Sequence, residues 1–367
     1  MVHNKKRILV AGEKKRIVYQ KFSSILSEEC VVKEWYVLPD SDNPGFFLMR
    51  WFSLINNWDK MIRKFNPDKI LICGGALISL WIIVFLIRVY RLRIEIIVFR
   101  YDIEHFRPFP KQLKDKFGHF VALKLEKYCF LRADKIIHKG LENELQYLPF
   151  YEKIKDKPHH LFRNFLDKKL IQKYNPKKKL SREDKEAHLV YGGGWYYDDS
   201  STSNSFFKLY ESFLKNRVHL HLYTRANNNE REKLGAFEKK YRYFHYEGHL
   251  DRKNLIKEYS KYDFGLNFYG FFDDKKNNAF VKTAFSNKNF DYLASMLPIL
   301  TNGEAEAKSD FVVENRIGYS FKLLDYNKRS IYKQILDKKK YAQLVKNIGK
   351  YINKNLNNRE FLRFITY

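Results

Sequence analysis

The sequence predicts an α/β protein built from two Rossmann-like domains, and its length and strand pattern are the main reasons. Its 367 residues exceed the roughly 250 to 300 at which a single hydrophobic core stops growing. Short apolar runs alternate with helical stretches on both sides of a lysine-rich segment at 169–186, which is typical of two parallel sheets joined by a linker. We therefore expect domains at 1–168 and 187–345, followed by a terminal helix at 346–367.

Composition indicates a folded protein without disulfides or metal. Hydrophobic residues make up 45% and aromatic residues 17% of the chain, which is enough for packed cores and too much for intrinsic disorder. The three cysteines form no CxxC pair, and the adjacent His159 and His160 cannot provide the i, i+4 spacing of a helical zinc site. The N-terminus passes into a strand-like run without an apolar signal core, so we expect a cytoplasmic protein.

The net charge of +27 has several explanations. Nucleic acid, an anionic membrane surface and a phosphorylated substrate would each attract such a protein. Lysine is spread along the whole chain beside many Asn, Ile and Tyr residues, a mixture that AT-rich coding also produces. Nucleic acid is not an expected partner, because charge is the one feature in its favour.

Five strand-like runs define the first predicted domain. Several end in glycine or in an acidic residue, and ligands of open α/β sheets lie beyond the carboxyl ends of the strands. The predicted strands are Lys6–Gly12, Val31–Leu38, Asp68–Gly75, Ile94–Asp102 and Asp134–Gly140.

An uncharged run at 70–87 reaches the length of a membrane span. Two glycines divide it into a short strand and an apolar helix, which is too short to cross about 30 Å of hydrocarbon. The helix is apolar on nearly every side and is followed by three arginines. We favour interior packing, then peripheral contact of residues 76–93 with an anionic membrane, and last a true span.

Asp102 ends the fourth predicted strand, and Glu104 and His105 follow it closely. At the carboxyl end of that strand they can position an acceptor or transfer a proton. The alternative is an exposed turn that leads into a proline-containing loop. We take the three residues as catalytic candidates.

Six strand-like runs define the second predicted domain: Ala187–Gly194, Arg217–Thr224, Arg242–Gly248, Tyr262–Tyr269, Leu297–Gly303 and Gly318–Leu324. The glycines that end the first run let the backbone approach a ligand closely. The candidate binding residues at the ends of the first four runs are Gly193, Gly194, Arg225, Gly248, His249 and Tyr269.

The segment NKNFDYLASMLPIL, which starts at Asn287 and Lys288, predicts a short amphipathic helix that ends before Pro298 and leads into a buried strand. It resembles the donor-binding segment of GT-B glycosyltransferases, especially the retaining family 4, which reads Asn-Lys-hydrophobic-Phe-Glu-Tyr-Leu-Ala-Ala-Gly-x-Pro-Val-Ile. The resemblance extends over 187–321. It implies a GT-B fold, with two Rossmann-like domains facing a cleft and a C-terminal helix that crosses back to the first domain.

The resemblance further implies a metal-independent hexosyltransferase that uses a UDP- or GDP-sugar as donor and needs no resident cofactor. Asn287 and Lys288 would lie near the diphosphate with Arg225, and Asp291 would hold the ribose. Lys288 and Arg225 are otherwise solvated surface residues, and Asp291 is otherwise a first-turn acid that the helix dipole favours. The implied acceptor is a lipid-linked or surface glycan at the cytoplasmic face of a membrane.

The chain also departs from the family pattern. The family often carries two glutamates separated by seven residues; Asp291 takes the second place, and Thr283 stands where the first acid would be. The Arg and Lys that often follow the first strand of this domain are replaced by the residues at 195–199. These departures motivate a second hypothesis, a non-catalytic GT-B-like partner or regulatory subunit of a glycosyltransferase.

Overall fold

The computed structural model describes residues 5–12, 17–36, 57–74, 78–100, 102–108, 110, 112–194, 207–271, 278–325 and 328–367. The chain divides into one unit of Met1–Arg163 with Asn358–Tyr367, and a second unit of Asn164–Asn357. The segment predicted as a linker, 169–186, lies within the second unit and contains short helical turns. The substitutions noted at 195–199 lie outside the described residues.

The first unit is built on a parallel sheet of six strands. The strands are β1 Arg7–Gly12, β2 Val31–Tyr36, β3 Lys69–Cys73, β4 Glu95–Phe99, β5 Lys135–His138 and β6 His159–Leu161. Their spatial order is β2-β1-β3-β4-β5-β6. The five predicted strands are confirmed, and β6 is an additional edge strand whose three residues are too few to show a period in the sequence.

Helices connect these strands and cover the sheet. They are α1 Ile17–Leu26, α2 Ile78–Val89 and α3 Leu113–Arg132, together with a π-helical turn at Asp59–Lys64 and 3₁₀ turns at Glu104–Phe106, Glu144–Tyr147 and Tyr151–Lys153. Every residue of β3 is buried, as expected for a parallel strand covered on both faces.

Helix α2 is the apolar segment whose environment the sequence left open. Leu80, Ile83 and Ile87 are fully buried, whereas Phe85 and Val89 are 38% and 55% exposed. One face therefore packs into the core and another meets solvent. Within the described parts of the chain, none of the helices combines the length and the apolar character needed to cross a membrane.

The second unit contains another parallel sheet of six strands. The strands are β7 His188–Gly192, β8 His219–Tyr223, β9 Phe244–Gly248, β10 Phe264–Leu266, β11 Ile299–Asn302 and β12 Gly318–Phe321. Their spatial order is β12-β11-β10-β7-β8-β9, so the strand order reverses between β7 and β10. This is the Rossmann order, in which ligands bind beyond the carboxyl ends of the strands at the point of reversal.

The helices of the second unit are α4 Ser181–Asp184, α5 Phe207–Lys215, α6 Asn228–Lys240, α7 Arg252–Tyr259, α8 Ala279–Lys282, α9 Lys288–Ala294, α10 Glu306–Glu314, α11 Arg329–Leu336 and α12 Lys338–Asn355. A close contact fixes α9 against the sheet. A Cβ on Gly265 of β10 would lie 2.5 Å from the Tyr292 ring, and the Tyr292 hydroxyl donates to Leu266 O at 2.9 Å. Glycine at 265 therefore lets α9 lie against the strand beside the point of reversal.

The C-terminal segment differs from the single helix predicted at 346–367. Helix α12 ends at Asn355, and a separate helix, α13, spans Arg359–Thr366. Asn358 between them has φ 45°, which interrupts the helix because α-helical residues need negative φ. Helix α13 belongs to the first unit, where Phe361 packs on Phe162 with ring centroids 4.4 Å apart.

Candidate functional site

The loop after β7 meets the start of α9 at the point where the strand order reverses. Gly193 has φ 139°, and a Cβ there would lie 2.6 Å from Lys288 Cε. The Lys288 ammonium lies over the Tyr191 ring, 5.0 Å from its centroid, and the Tyr191 hydroxyl donates to Gly194 O at 2.8 Å. The absent side chain at 193 thus leaves room for a lysine whose charge suits an anionic group.

Asp291, one turn into α9, forms an ion pair with Arg252 at the start of α7. Arg252 Nη2 and Nε lie 2.7 and 2.9 Å from Asp291 Oδ1. Burial raises the pKa of the Asp291 carboxyl, and Arg252 and Lys288 oppose that increase. Asp251 begins α7 by accepting backbone hydrogen bonds from Lys253 and Asn254, which fixes the helix start that carries Arg252.

Arg252 was not among the residues predicted from the sequence. It follows the His249 loop by three positions and begins a helix, so a basic residue just beyond a strand end was the available signal. Its pairing with Asp291 depends on the contact between α7 and α9, which no local pattern shows.

Two asparagines near the start of α9 carry unsatisfied buried atoms. Within the described residues, Asn287 Oδ1 and Asn289 Nδ2 have no hydrogen-bond partner. Asn289 accepts through Oδ1 from Asn267, which follows β10. An unsatisfied buried polar group costs about 1–3 kcal/mol, so a ligand with hydroxyl or amide groups would gain by bonding them.

The remaining candidates of this unit lie on loops at the carboxyl ends of the strands. Arg225 and His249 are exposed, and Thr224 N donates to Gly248 O at 2.8 Å, which joins the loops after β8 and β9. Gly248 has φ 76°. Tyr269 is fixed by Asn302, which accepts from its N–H and donates to its carbonyl, both at 2.8 Å.

Thr283, in the place of the family's first acid, is engaged with its own helix. Its hydroxyl donates to Ala279 O at 2.7 Å, and the residue is 7% exposed. Position 283 therefore supplies no carboxylate to a ligand.

In the first unit, a buried carboxylate organises the segment after β4. Glu126 of α3 is fully buried and accepts from the backbone N–H groups of Glu104 and His105 at 2.8 and 3.1 Å. Its oxygens also lie 2.6 Å from Arg100 Nε and 2.6 Å from His105 Nδ1. His105 is therefore part of an internal network that fixes the strand end.

The Glu104 side chain points into the interior of the first unit, as His105 does, whereas the Asp102 side chain is accessible to solvent. Glu104 Oε1 lies 3.0 Å from His119 Nδ1, and the Glu104 side chain is 12% exposed. Asp102 is 40% exposed and lies 3.2 Å from Lys139 Nζ. Burial lowers the pKa of Lys139 to about 8, although Asp102 opposes that decrease.

Glu126 and Lys139 were also missed at the sequence level. Glu126 lies in the middle of a helix whose pattern does not mark one acid among many, and Lys139 follows a predicted strand as one of a large number of lysines. Only the packing of α3 and β5 beside β4 brings them to the candidate residues.

Residues 200–366 match the family described as "Glucosyltransferase 3-like, C-terminal domain". No curated protein is significantly similar to the chain in sequence.

Solved structures resemble the chain over nearly its whole length. A glycosyltransferase from Rickettsia africae is 13% identical with a TM-score of 0.60, covering 98% of this chain and 97% of that one. WaaG, a glycosyltransferase involved in lipopolysaccharide biosynthesis, is 8% identical with a TM-score of 0.54, at coverages of 98% and 99%. Staphylococcus aureus MnaA, solved with UDP, is 12% identical with a TM-score of 0.53, at 97% of each chain. At such identities the similarity concerns the fold, and the predicted GT-B fold is confirmed.

Proposed function

We propose that this GT-B-fold protein is a glycosyltransferase that moves a sugar from a nucleotide-diphosphate donor to an acceptor hydroxyl. The match to a glucosyltransferase-like domain over 200–366 supports this proposal. The observation that carries it is the position of Lys288 across Gly193, at the end of β7 where the strand order reverses. A flexible cation beside an unobstructed backbone suits a diphosphate.

Each residue around this point has a proposed role. Lys288 offsets the charge that develops on the leaving diphosphate, and such electrostatic stabilisation is commonly the largest catalytic term. Asp291 accepts hydrogen bonds from the ribose through Oδ2, while Arg252 occupies Oδ1. Asn287 Oδ1, which is buried, accepts from a sugar or ribose hydroxyl. Arg225, Gly248 and His249 border the nucleotide from the neighbouring loops.

The reaction breaks the bond between the anomeric carbon and the diphosphate oxygen, and that oxygen keeps the electron pair. The acceptor oxygen forms the new bond to the anomeric carbon and loses its proton to a base or to solvent. In the first unit we assign the acceptor side to Asp102, which is 40% exposed. Glu104 and His105 act through the Glu126 network that positions this segment.

The finer assignments follow the family resemblance. The proposed donor is a UDP- or GDP-hexose, transfer needs no metal, and the acceptor is a lipid-linked or surface glycan at the cytoplasmic face of a membrane. Peripheral contact through 76–93 is supported by Phe85, Val89 and Tyr90, which are 38%, 55% and 64% exposed. They lie beside the exposed Arg91 and Arg93, a combination that favours anionic lipid.

The departures from the family pattern support a second candidate, a GT-B-like subunit without catalysis. Thr283 supplies no acid, and Arg252 already occupies one oxygen of Asp291. Such a protein would bind its partner transferase without consuming a nucleotide sugar.

Calorimetric titration with UDP, GDP, ADP and CMP tests the proposed function. We expect UDP or GDP to bind, and Lys288→Ala to weaken that binding by about tenfold or more, since one charge-assisted hydrogen bond is worth about 1.5–3 kcal/mol. Lys253→Ala, which removes an exposed lysine of α7, is the charge-matched control. Failure to bind any of the four nucleotides rejects the enzyme, and binding without donor hydrolysis or transfer favours the subunit.

A further inference from the structure

A cavity of about 560 Å³ lies at the amino edge of the first sheet. One side is formed by the π-helical turn Asp59–Lys64 and the other by the segment at 90–94, which joins α2 to β4. Its volume falls within the roughly 300–1,000 Å³ that is usual for small-molecule sites. We call it the basic pocket; its main lining residues are Trp58, Ile62, Arg63, Tyr90, Arg93 and Ile94.

The basic pocket is separate from the proposed acceptor side of the same sheet. Asp68 and Ile94, which line it, directly precede β3 and β4. Each of these strands has five residues, so the pocket lies about 13 Å along the strands from their carboxyl ends, at about 3.3 Å per residue. Asp102 follows the carboxyl end of β4. A ligand in the basic pocket therefore does not compete with the acceptor.

Two arginines bring positive charge to the pocket. Arg63 and Arg93 are exposed, and within the described residues neither guanidinium forms an ion pair or a side-chain hydrogen bond. The acids beside them in the sequence are engaged elsewhere, because Asp59 pairs with Lys64 at 3.4 Å and Glu95 pairs with two other lysines. Guanidinium groups in this state suit a phosphate, since their fork of N–H donors matches two phosphate oxygens.

The acid in the pocket lining, Asp68, is used by the sheet. Its Oδ2 accepts from Arg7 N–H at 2.7 Å, and its own N–H donates to Arg7 O at 2.9 Å. Lys60, Lys64 and Arg91, which are sequence neighbours of the two lining arginines, are exposed as well. The pocket and the chain segments around it therefore carry an excess of positive charge.

The rest of the lining is mainly apolar and aromatic. Ile62 and Ile94 are buried, and Trp58 packs edge to face on Trp35 with ring centroids 6.4 Å apart. A ligand that suits both parts of the lining has an anionic group joined to an apolar group.

The end of α2 indicates which class of phosphorylated ligand this is. Phe85 and Val89 are one helical turn apart and exposed, so they lie on one face of α2. Tyr90, which follows them, is exposed and lines the pocket. A soluble phosphate ester accounts for the arginines but leaves this apolar face uncovered. A membrane lipid accounts for both, because its phosphate lies next to its acyl chains and because tyrosine and tryptophan favour the headgroup level.

We propose that the basic pocket binds the phosphate of an anionic glycerophospholipid, with Arg63 and Arg93 on the phosphate oxygens and the aromatic lining beside the glycerol. The exposed side chains at the end of α2 then contact the acyl chains. This inference rests on the peripheral membrane contact in the proposed function and adds a defined site for one lipid. That site holds the first unit at the membrane while the carboxyl edge of its sheet stays free for the acceptor.

Calorimetric titration of the 367-residue protein with dihexanoylphosphatidylglycerol tests the pocket, because this short-chain lipid is soluble as a monomer and offers no charged surface. We expect saturable binding of one lipid per chain. Arg63→Gln with Arg93→Gln should weaken the binding by about 100-fold, since two charge-assisted hydrogen bonds are lost. Lys60→Gln with Arg91→Gln removes the same charge from the same two segments but outside the lining, and should change the affinity by less than about threefold because exposed charges are screened.

Vesicles and inorganic phosphate identify the source of the phosphate group. The unsubstituted protein should sediment with vesicles that contain phosphatidylglycerol and stay in solution with vesicles of phosphatidylcholine alone. Three results would overturn the proposal. Absence of saturable lipid binding would remove the site, equal losses in the two double variants would show diffuse charge, and inorganic phosphate bound as tightly as the lipid would show a soluble ligand.

Nucleotide titration of the same proteins separates this outcome from that of the proposed transferase function. The basic pocket and the proposed nucleotide site belong to different units, so the Arg63→Gln, Arg93→Gln protein should bind nucleotide as the unsubstituted protein does. Its melting temperature shows whether it folds. Nucleotide binding without lipid binding rejects the lipid site alone, and lipid binding without nucleotide binding rejects the transferase alone.

Discussion

Arg252 donates two hydrogen bonds to a single oxygen of Asp291, Oδ1, at 2.7 and 2.9 Å. The pair joins the first turns of α7 and α9, which are two of the helices that begin at the carboxyl edge of the second sheet. It keeps a largely buried carboxylate in one orientation. We propose that Arg252 positions Asp291 for a ligand, because the contacts that this carboxylate makes among the described residues are all to Oδ1.

Asp291→Asn should lower nucleotide affinity by about tenfold, because a hydrogen bond to a charged acceptor is worth about 1.5–3 kcal/mol. Calorimetry with the nucleotide that binds the unsubstituted protein measures the change. Glu258→Gln, an isosteric change near the other end of α7, should leave the affinity unaltered. Equal affinities in all three proteins would remove Asp291 from the site.

Gly193→Ala should reduce nucleotide binding, and its cost should arise from both backbone and side chain. A φ of 139° is unfavourable for alanine, with a cost of about 1–3 kcal/mol, and the new Cβ would press on Lys288 Cε at 2.6 Å. Gly235→Ala in α6 has open space around its Cβ and should instead stabilise the protein by about 0.5–1 kcal/mol. Urea denaturation and nucleotide titration of both variants check these opposite outcomes. A Gly193→Ala protein with unchanged stability and nucleotide affinity would contradict the close approach of Lys288 to residue 193.

Lys139→Met should stabilise the protein at pH 7, and the advantage should shrink as the pH rises above about 8. Burial lowers the pKa of Lys139 to about 8 in the folded protein, so below that pH the fold carries the cost of a buried charge. Between the folded and unfolded pKa values the folded lysine is neutral while the unfolded chain still binds the proton, so stability rises with pH. The folded and unfolded pKa values of Lys139 differ by about 2.5 units, which corresponds to about 3 kcal/mol of folding free energy as an upper limit. Urea unfolding of both proteins from pH 7 to 10 measures the difference in their free energies of unfolding. A difference that is constant across this range would show that the pKa of Lys139 is not lowered.

Glu126→Gln should destabilise the first unit by about 3–5 kcal/mol, because it removes the charged carboxylate of the buried ion pair with Arg100. Burial alone would raise the pKa of Glu126. Arg100 and the hydrogen bonds from His105 and Glu104 outweigh that effect, so the pKa is lowered overall. The stabilisation is therefore present above the unfolded pKa and is lost as the pH falls through the folded one. Thermal unfolding at pH 7 and pH 4 tests both points, with the exposed Glu152→Gln as control. A glutamine variant as stable as the control would show that the network contributes nothing.

The sequence by itself predicted the two sheets and the short helix that carries the proposed donor-binding residues. Apolar runs bounded by glycine and polar residues predicted eleven strands that the structure contains, because strand formation depends on local periodicity and turn chemistry. The same local signals identified Asn287, Lys288 and Asp291 at the beginning of a helix. The break at Asn358 and the edge strand β6 escaped because each involves only a few residues without a distinctive pattern.

Only the tertiary structure decided which side chains meet. Arg252 pairs with Asp291, which is 39 positions away in the sequence. Glu126, on a separate helix, accepts hydrogen bonds from the segment after β4. His219 lies beside His188 because β7 pairs with β8. These contacts depend on the spatial order of parallel strands, which the connecting helices set and the local sequence does not encode. The periodicity of the chain therefore fixes where each strand ends, whereas sheet order fixes which ends share a site.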